Sequence, residues 1–541
     1  QLLLQHEDIR RYYQKKFRYV LVDEYQDTNH LQYLLTSALA GGHENICVVG
    51  DDDQSIYRFR GATIENILSF EKQYRGCRTI RLEQNYRSTQ SILNAANAVI
   101  SHNLGRKGKK LWTANGNGSP IVVYEAADEM TEANFIAGQV LAATRGQGMR
   151  DFAILYRTNA QSNALEYALK RNGIPYRVIG GTRFFDRAEI KDMLSYLCVI
   201  NNRADDLRLR RIINNPPRGL GAKTLEMADR LAEAEGKPLY CVVSDPYSYA
   251  ALEKSALKFL QFSGMIEGLA QLLEEGMSLP EFYDEVLART GYADMLTAKD
   301  TEENKTRLEN VRELKSSIHS YMENADNPTL AGFLEEIALY TDIEQYNASD
   351  DAVVMMTIHS AKGLEFPHVF LAGFEDGLFP GQRSIGDNEE MEEERRLCYV
   401  AITRAKQSLT ISYARQRMIY GRTSASLPSR FLKEIPETCI QRKGGFHPTQ
   451  SATGYTERSY GNRSAYNRPR YHSESSMISP KPTTPMLELQ QGDMVQHAAF
   501  GRGMVLTVTK MGGDALLEVA FDDIGTKKLL AKTASAYMKK I

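Results

Sequence analysis

The sequence predicts an α/β fold that is interrupted by a long helical segment and followed by a small β-barrel. Over residues 1–180, short apolar runs alternate with stretches of helical periodicity, as in a parallel sheet covered by helices. Between residues 181 and 350 the periodicity is almost entirely helical, and strand patterns return after residue 351. Near the end of the chain, four short strand candidates are separated by turn residues, which is typical of a small barrel.

Length and composition limit the classes of protein to which the chain can belong. Its 541 residues suffice for about three to four domains. Lysine and arginine total 66 against 68 for aspartate and glutamate, a net charge of −2, so any attraction to nucleic acid must be local. No apolar run reaches the roughly 18 residues of a membrane span, and the six cysteines are scattered without a CxxC pair. We therefore expect a protein of the reducing cytoplasm with no membrane partner.

The first two predicted strands lead directly into acidic residues. The apolar run 19–22 stops at Asp23 and Glu24, and the run 46–49 is followed closely by another aspartate. Leucine and alanine recur at helical spacing from residue 31 to 39, which completes a β-α-β unit. Two carboxylates after a buried strand can hold Mg²⁺ and orient an attacking water in nucleotide hydrolysis, or they can simply open a solvated loop.

Further strands and helices are predicted along the rest of the chain. A third strand is expected at 79–82, followed by a helix through 92–99 that Ser88 could cap. Helices are also expected at 225–234 and 308–321. The remaining predicted strands are 121–124, 152–156, 176–179, 353–358, 369–372, 409–413, 494–497, 503–509, 516–521 and 527–530. A stretch poor in aliphatic residues, 441–485, contains seven Lys or Arg and two Asp or Glu, and is interpreted as a flexible basic linker.

Five sequence blocks occur in an order that chance does not plausibly supply. They are VDEYQDTN at 22–29, VGDDDQSIYRFRGA at 49–62, LEQNYRST at 82–89, TIHSAKGLEF at 357–366 and EEERRLCYVAITRAK at 392–406. This set resembles the motifs of UvrD/PcrA-like superfamily 1 DNA helicases, and the resemblance covers essentially the whole chain.

The resemblance implies a RecA-like motor of the P-loop NTPase class and assigns each region a place in it. Residues 1–80 correspond to the C-terminal part of the first RecA-like domain, and residues 81–180 with 351–440 to the second. Residues 181–350 correspond to the inserted all-helical domain, residues 441–485 to the linker, and residues 486–541 to a small Tudor/SH3-like β-barrel.

The resemblance also implies roles in ATP hydrolysis. Asp23 is expected to hold Mg²⁺ and Glu24 to orient the attacking water. Gln54 is expected to sense the γ-phosphate. Arg87 and Arg404 are expected to act as arginine fingers, which present positive charge to the transition state and contribute roughly 10³- to 10⁵-fold to the rate. A surface charge is the alternative for each arginine.

Two further residues are expected to bind the nucleoside part of ATP. Tyr86 is placed by the resemblance to stack on adenine, and Glu365 to accept a hydrogen bond from the ribose. Arg87, Arg404 and Gln54 are expected to complete this nucleotide site.

Single-stranded DNA is expected to be held by aromatic stacking, which contributes about 1–3 kcal/mol per base. Tyr57 and Phe59 are the residues that the resemblance implies, although the family usually has tryptophan where this chain has Phe59. The alternative is that both are core aromatics. His359 and Tyr420 occupy positions that resemble DNA contacts of the family, and ordinary packing is the alternative for them.

A glycine-rich turn inside the helical segment is the candidate for duplex DNA. The string NNPPRGLG at 214–221 precedes a helix, and free N–H groups at a helix start can hold a phosphate. It resembles the duplex-contacting segment of the family, which implicates Arg218, Gly219 and Gly221. A simple helix-start loop is the alternative.

One element of the resemblance has no counterpart. Hydrolysis in this family also requires a loop of the form GxxxxGK[ST], and no such string occurs in the 541 residues. Residues 221–224 and 105–110 come nearest, but neither has the required spacing and residue types. Together with the start at Gln1 and the missing initiator methionine, this predicts a fragment that lacks the phosphate-loop half of the first RecA-like domain.

The resemblance implies an ATP-dependent DNA helicase that couples hydrolysis to 3′-to-5′ translocation and strand separation, in DNA repair or replication, and the direction of movement is implied by the resemblance alone. The expected cofactors are ATP and Mg²⁺, and the expected partners are single-stranded DNA, single-strand/duplex junctions and RNA polymerase, the last through the final barrel. The rival hypothesis is a non-hydrolysing adaptor that binds DNA or RNA polymerase. A helicase-nuclease is disfavoured because the C-terminal region has neither a nuclease-like acidic cluster nor a cysteine set for an iron–sulfur centre.

Overall fold

The computed structural model describes residues 2–143, 148–325, 327–346, 351–444, 489–498, 500–511, 514–522, 525–535 and 537–541. Contacts divide the chain into two units, of which the first extends to Lys443 and the second contains the C-terminal sheet. Most of the predicted linker, 441–485, lies outside the described residues. Among the helices that the structure describes, none combines the length and the apolar character that a membrane crossing requires.

Residues 2–80, here called the N-terminal segment, contain a small parallel sheet. The elements are α1 (Leu2–Gln5), α2 (Glu7–Lys16), β1 (Val20–Val22), α3 (His30–Ala40), β2 (Ile46–Val48), α4 (Glu65–Leu68) and α5 (Phe70–Gln73). Strands β1 and β2 pair in parallel, with Val20 opposite Ile46. Helix α3 starts with a capping box, because Asn29 Oδ1 accepts a 2.9 Å bond from Gln32 N while Gln32 Oε1 accepts one from Asn29 N. The predicted β-α-β unit is confirmed.

The strand predicted at residues 79–82 is absent. Among the described residues, an isolated bridge next to this segment joins Gln84 to Trp112, where Asn85 N donates to Trp112 O at 2.7 Å and Trp112 N donates to Glu83 O at 3.1 Å. Leu82 is 79% exposed. A strand is stabilised by ladder partners and by burial of one face, and in the described structure this segment has neither.

The next elements begin the larger sheet. They are α6 (Gln90–Ile100), β3 (Ile121–Ala126), α7 (Glu129–Ala143), β4 (Phe152–Tyr156), α8 (Ser162–Arg171) and β5 (Tyr176–Val178). The predicted cap of α6 is wrong by one residue, since Thr89 precedes the helix and the Ser88 hydroxyl instead donates a 2.6 Å bond to Ala405 O. Ser88 therefore ties the start of α6 to Ala405, the first residue of a strand further along the chain.

Residues 181–346, called the helical insertion, then interrupt the sheet. The α-helices of its described residues are α9 (Ala188–Asn201), α10 (Asp206–Ile212), α11 (Ala222–Glu235), α12 (Leu239–Ser244), α13 (Ala256–Glu274), α14 (Leu279–Thr290), α15 (Tyr292–Thr297), α16 (Glu302–Asn324) and α17 (Leu330–Tyr346). They share a core in which Tyr196, Phe259 and Tyr283 are fully buried. The buried Tyr283 hydroxyl donates a 2.7 Å bond to Val311 O, so this core is also satisfied in its polar groups.

After the insertion the chain completes the sheet. The elements are β6 (Val353–Thr357), β7 (Phe366–Leu371), α18 (Asn388–Ile402), β8 (Ala405–Ala414), β9 (Gln416–Ile419), β10 (Arg422–Ala425) and β11 (Ile440–Gly444). The seven strands run in the order β11-β3-β8-β7-β4-β6-β5, and the pairs from β3 to β5 are parallel. Helices α6 and α18 pack against each other on this sheet. We call the described residues of 81–180 and 351–444 the sheet domain.

The second unit is a five-stranded antiparallel sheet in the order β15-β14-β13-β12-β16. Its elements are β12 (Met494–His497), β13 (Gly501–Met511), β14 (Asp514–Phe521), β15 (Gly525–Leu530), α19 (Ala531–Ala534) and β16 (Met538–Lys540). Its core includes His497, which is 2% exposed and stacks on Phe500 with ring centroids 4.4 Å apart. The predicted α/β class, with a helical insertion and a final β-domain, is confirmed.

Candidate functional site

A cavity of about 560 Å³ lies where the N-terminal segment meets the sheet domain. Gln54 lines it from the N-terminal segment, and Tyr86, Arg87, Glu365 and Arg404 line it from the sheet domain. Its volume is in the range of pockets that bind small molecules and cofactors. The structure thus brings together in one cavity the five residues that sequence reasoning assigned to the nucleotide.

The two arginines form a cationic wall of this cavity. Arg404 is 2% exposed, and its guanidinium donates 3.1 Å bonds to the carbonyl oxygens of Val400 and Leu364. Arg87 donates a 3.2 Å bond to Thr403 O. Burial, together with the charge of Arg87, lowers the pKa of Arg404 to about 10. Arg404 is held by carbonyl oxygens, and Arg87 shares the Glu365 carboxylate with Lys406, so these three cations face one carboxylate and leave an excess of positive charge that an anion would relieve.

Glu365 and Tyr86 differ in how strongly they are held. Glu365 pairs with Lys406 at 2.7 Å and with Arg87 through its other oxygen. Hydrogen bonds from Lys406 and Arg87 lower the pKa of Glu365 to about 2. Tyr86 is 79% exposed, and its hydroxyl donates a 3.1 Å bond to Gln84. The Tyr86 ring therefore offers a stacking face, whereas Glu365 is a permanently ionised acceptor.

Asp23 and Glu24 lie at the end of β1 and connect to the cavity through hydrogen bonds. Asp23 Oδ1 accepts a 2.8 Å bond from Glu24 N. Glu24 has φ +49° and accepts a 2.6 Å bond from the side chain of Gln26. Gln26 in turn accepts a 3.0 Å bond from Asp51 N. Within the described residues, no group of three or more His, Cys, Asp or Glu side chains forms a metal site. Carboxylate oxygens suit Mg²⁺, which often binds one or two of them plus phosphates.

Sequence reasoning missed Lys362, which joins the sheet domain to the N-terminal segment. Its side chain is 7% exposed, contacts the Asp27 carboxylate and donates a 2.8 Å bond to Gln54 O. Lys362 Nζ lies 3.5 Å from Glu24 Oε2 and 5.3 Å from the centroid of the Tyr57 ring. Its position inside the 357–366 block could have marked Lys362 as functional. A lysine in a motif does not, however, reveal which residues of the N-terminal segment it contacts.

Three of the residues predicted to contact DNA form one aromatic cluster. Phe59 meets Tyr57 with ring centroids 6.0 Å apart and His359 with centroids 5.3 Å apart. The Tyr57 hydroxyl donates a 3.3 Å bond to His359 O. Phe59 is 53% exposed, so its ring is available to a ligand. Burial, with the charges of Arg157 and Arg60 adding to it, lowers the pKa of His359 to about 3, which keeps that ring neutral.

Tyr420 lies in a different set of contacts. It follows β9 with φ +54°, and its N–H donates a 3.0 Å bond to Glu313 Oε2 of α16. The neighbouring Gly421 N–H donates a 3.0 Å bond to Ser316 Oγ. Burial raises the pKa of Tyr420. These contacts join the β9-β10 hairpin to the helical insertion.

The loop at residues 214–221 is built around Arg218. This guanidinium donates a 2.6 Å bond to the Tyr196 hydroxyl and a 2.9 Å bond to Ile212 O, and lies 5.2 Å from the Phe262 ring centroid. Arg218 thus supports the loop from inside. Gly219 and Gly221 are exposed, and Gly221 directly precedes α11.

Three known protein-domain families match successive parts of the chain. The UvrD/REP helicase N-terminal domain matches residues 1–75, the UvrD-like helicase C-terminal domain matches residues 80–416, and the PcrA/UvrD tudor domain matches residues 492–536. These matches define a helicase of superfamily 1.

Individual helicases are also similar to this chain over almost its whole length. The ATP-dependent DNA helicase PcrA of Staphylococcus aureus strain Mu50 is 44% identical over 535 residues, which cover 97% of this chain and 71% of the relative. The protein of the same name from Staphylococcus epidermidis strain ATCC 12228 is 44% identical over 529 residues, covering 97% of this chain and 70% of the relative. The chain belongs to the UvrD/PcrA-like helicase family, whose members include ATP-dependent DNA helicases.

Proposed function

We propose that this protein is a DNA translocase and helicase that moves 3′ to 5′ on single-stranded DNA and separates duplexes at the expense of ATP. The observation that carries the proposal is Lys362. Its ammonium group contacts Asp27 and Gln54, the second of which lines the nucleotide cavity. The same group lies 5.3 Å from the ring centroid of Tyr57 in the aromatic cluster. One buried cation therefore joins the residues assigned to hydrolysis to the residues assigned to DNA.

In the nucleotide cavity, the charges suit a triphosphate. Arg87 and Arg404 present positive charge where it would oppose the charge that develops on the γ-phosphate. Gln54 faces them from the N-terminal segment, so closing the cavity would bring its amide to the same phosphate. Glu24, at the end of β1, would orient the attacking water. The oxygens of Asp23 fit Mg²⁺, which would neutralise phosphate charge when bound.

At the aromatic cluster, Phe59 would stack on a base, with neutral His359 and the Tyr57 ring supporting it. Because Lys362 links this cluster to Gln54, a change of cavity shape on hydrolysis would move the stacking surface. Repeated closing and opening would then shift the protein along the strand.

The other surfaces suit additional contacts of the same function. Exposed Gly219 and Gly221 at the start of α11 offer backbone N–H groups to a duplex phosphate at a single-strand/duplex junction. Lys258 lies beside them, since its Nζ donates a 2.7 Å bond to Gly219 O. We further propose a cytoplasmic role in DNA repair or replication, with the tudor-like sheet as the site for RNA polymerase.

Arg404→Ala tests the proposal in the full gene product that contains these 541 residues. We expect DNA-stimulated phosphate release to fall by about 10³-fold or more, because a buried arginine finger is removed. Affinity for a labelled oligothymidylate should stay within about threefold, since Arg404 has no contact with the aromatic cluster in the described structure. The matched control is Arg415→Ala. Arg415 directly follows β8, and its side chain is 53% exposed.

Two outcomes would contradict the proposal. Loss of DNA binding with hydrolysis retained in Arg404→Ala would remove the assigned role of this arginine. A wild-type protein that binds DNA or RNA polymerase but hydrolyses no ATP would favour the adaptor hypothesis.

A further inference from the structure

A short basic segment between α6 and β3 is mounted firmly on the sheet domain. We define it as residues 106–110, which read Arg-Lys-Gly-Lys-Lys. Just before it, Asn103 donates a 2.9 Å bond to Glu392 O of α18. Just after it, Leu111 exchanges bonds of 2.8 and 3.1 Å with the side chain of Asn97 on α6. The segment is thus fixed at both ends to the helices of the sheet domain.

From this mounting, the basic segment contacts three successive aspartates of the N-terminal segment. Arg106 binds the Asp53 carboxylate through two bonds of 2.8 and 2.6 Å, and Asp53 is 2% exposed. Lys107 N donates a 2.7 Å bond to Asp52 Oδ2. The Lys109 ammonium contacts the Asp51 carboxylate. A bidentate arginine pair has a fixed geometry, whereas a lysine is a point charge on a flexible stem. Asp53 is therefore the rigid anchor, and the Lys109 contact is the adjustable one.

Asp51 is connected to both halves of the hydrolytic machinery. Its Oδ2 accepts a 2.7 Å bond from the side-chain amide of Gln54. Its backbone N–H donates a 3.0 Å bond to Gln26, whose amide donates a 2.6 Å bond to Glu24. Lys109 and Asp51 both line the cavity that contains Gln54 and the two arginines. A single residue, Asp51, therefore connects Lys109 to the side-chain amide of Gln54, which is assigned to the γ-phosphate.

We propose that Lys109 is a positioning residue for ATP hydrolysis, which acts by holding the Asp51 carboxylate and through it the Gln54 amide. This inference rests on the proposed function. Asp51 stands beside two further aspartates, and removal of the Lys109 charge leaves it next to like charges with one cation fewer. Because the basic segment belongs to the sheet domain, the Lys109 contact makes the orientation of Gln54 depend on how closely the two sides of the cavity approach. From the sequence alone, residues 105–110 stand out only as one of the two strings that come nearest to the GxxxxGK[ST] pattern without matching it.

The test compares Lys109→Met with Lys110→Met in the full gene product. Lys110 is the exposed next residue and forms no ion pair with the described residues, so it is a matched control. We expect Lys109→Met to lower kcat for DNA-stimulated ATP hydrolysis about 10-fold or more and to change KM by less than about threefold. The reason is that the substitution removes a contact that orients Gln54 and removes no group that binds ATP directly. Lys109→Arg should restore most of kcat. The double variant Lys109→Met/Asp51→Asn should be no slower than the slower single variant, since both act on one contact.

A second readout needs no nucleotide. The backbone N–H of Gln54 donates a 2.9 Å bond to Asp51 O. Loosening of Asp51 should therefore speed hydrogen exchange at the Gln54 backbone amide in Lys109→Met and not in Lys110→Met. If the wild type hydrolyses ATP and both lysine variants behave alike in kcat and in exchange, the inference is overturned while the proposed function stands. A wild type without ATP hydrolysis removes the proposed function and the inference with it. A raised KM with unchanged kcat in Lys109→Met would make Lys109 a direct ligand and would also overturn the positioning role.

Discussion

Glu313 is a buried carboxyl where α16 meets the β9-β10 hairpin, and we predict that Glu313→Gln removes a pH-dependent weakness of this contact. Glu313 Oε2 accepts the 3.0 Å bond from Tyr420 N, and a glutamine oxygen can accept the same bond. Burial raises the pKa of Glu313 to about 8, despite the bonds from Tyr420 and Ser316 that lower it, and nearby Glu129 raises it further. The glutamine carries no charge at any pH of interest.

The magnitude follows from the gap between the two pKa values of Glu313. In the folded contact the pKa is about 8, and when the contact opens it returns toward 4.5. The carboxyl therefore contributes stability that is complete below about pH 4.5 and is lost as the pH rises through 8. Within that window each pH unit costs about 1.4 kcal/mol, so the contact should weaken by about 2.7 kcal/mol, or about 100-fold in its opening constant, between pH 5.5 and 7.5.

Hydrogen exchange at the Tyr420 amide measures this opening in the 541-residue chain. The intrinsic exchange rate changes with pH, but it is the same in wild type and Glu313→Gln, so the ratio of their protection factors isolates the carboxyl. We expect that ratio to move by about 100-fold in favour of the variant between pH 5.5 and 7.5. Glu303→Gln, at a position with a 73% exposed side chain on the same helix, should show no such trend. A protection ratio that does not vary with pH would refute the reasoning.

Two further predictions concern the aromatic cluster and the sheet domain. Phe59→Ala should weaken binding of a labelled oligothymidylate by about 5- to 160-fold, because one stacked base is worth about 1–3 kcal/mol, while Phe59→Trp should bind at least as tightly as wild type. Equal affinity of all three proteins in fluorescence anisotropy would exclude stacking. Arg417→Met should destabilise the sheet domain by about 3–5 kcal/mol, because it leaves two buried carboxylates without their cation. Those carboxylates belong to Glu132 and Glu375, whose side chains are 3% and 2% exposed. Thermal unfolding checks this, with Arg415→Met as the control that should melt like wild type.

The fold could be predicted where the sequence pattern and the tertiary environment agree. The run 152–156 is apolar throughout, and as β4 it is buried along its whole length between two parallel neighbours. The run 79–82 reads Thr-Ile-Arg-Leu and so alternates polar with apolar residues, but its neighbours in the described structure give it no ladder, and it is not a strand. A local pattern indicates what a segment can form, and pairing across the chain decides what it does form.

The candidate site could be predicted only as far as its motifs reach. Gln54, Arg87, Glu365 and Arg404 stand in recognisable blocks, and the structure places them around one cavity. The inward orientation of Arg218 had no such signal, since a guanidinium can equally bind a phosphate or the carbonyl oxygens of its own loop and of the preceding helix. The choice between those partners depends on the position of Tyr196 and Phe262, which only the folded insertion supplies.

Three ion pairs between the sheet domain and the N-terminal segment place the cation on the sheet domain, whereas the exposed Arg58–Glu389 pair has the opposite direction. Lys362, Arg106 and Lys109 all belong to the sheet domain, and they meet Asp27, Asp53 and Asp51 of the N-terminal segment. The sheet domain lines the cavity with Arg87, Lys109 and Arg404 against the single carboxylate of Glu365, whereas the opposing side contributes the carboxylate of Asp51. A bound triphosphate would bring its negative charge next to Arg87 and Arg404, while Lys109 would keep its contact with Asp51. Because Asp51 is hydrogen-bonded to Gln54 and, through Gln26, to Glu24, the Lys109 contact would hold in place the two side chains assigned to the γ-phosphate and the attacking water when the nucleotide arrives.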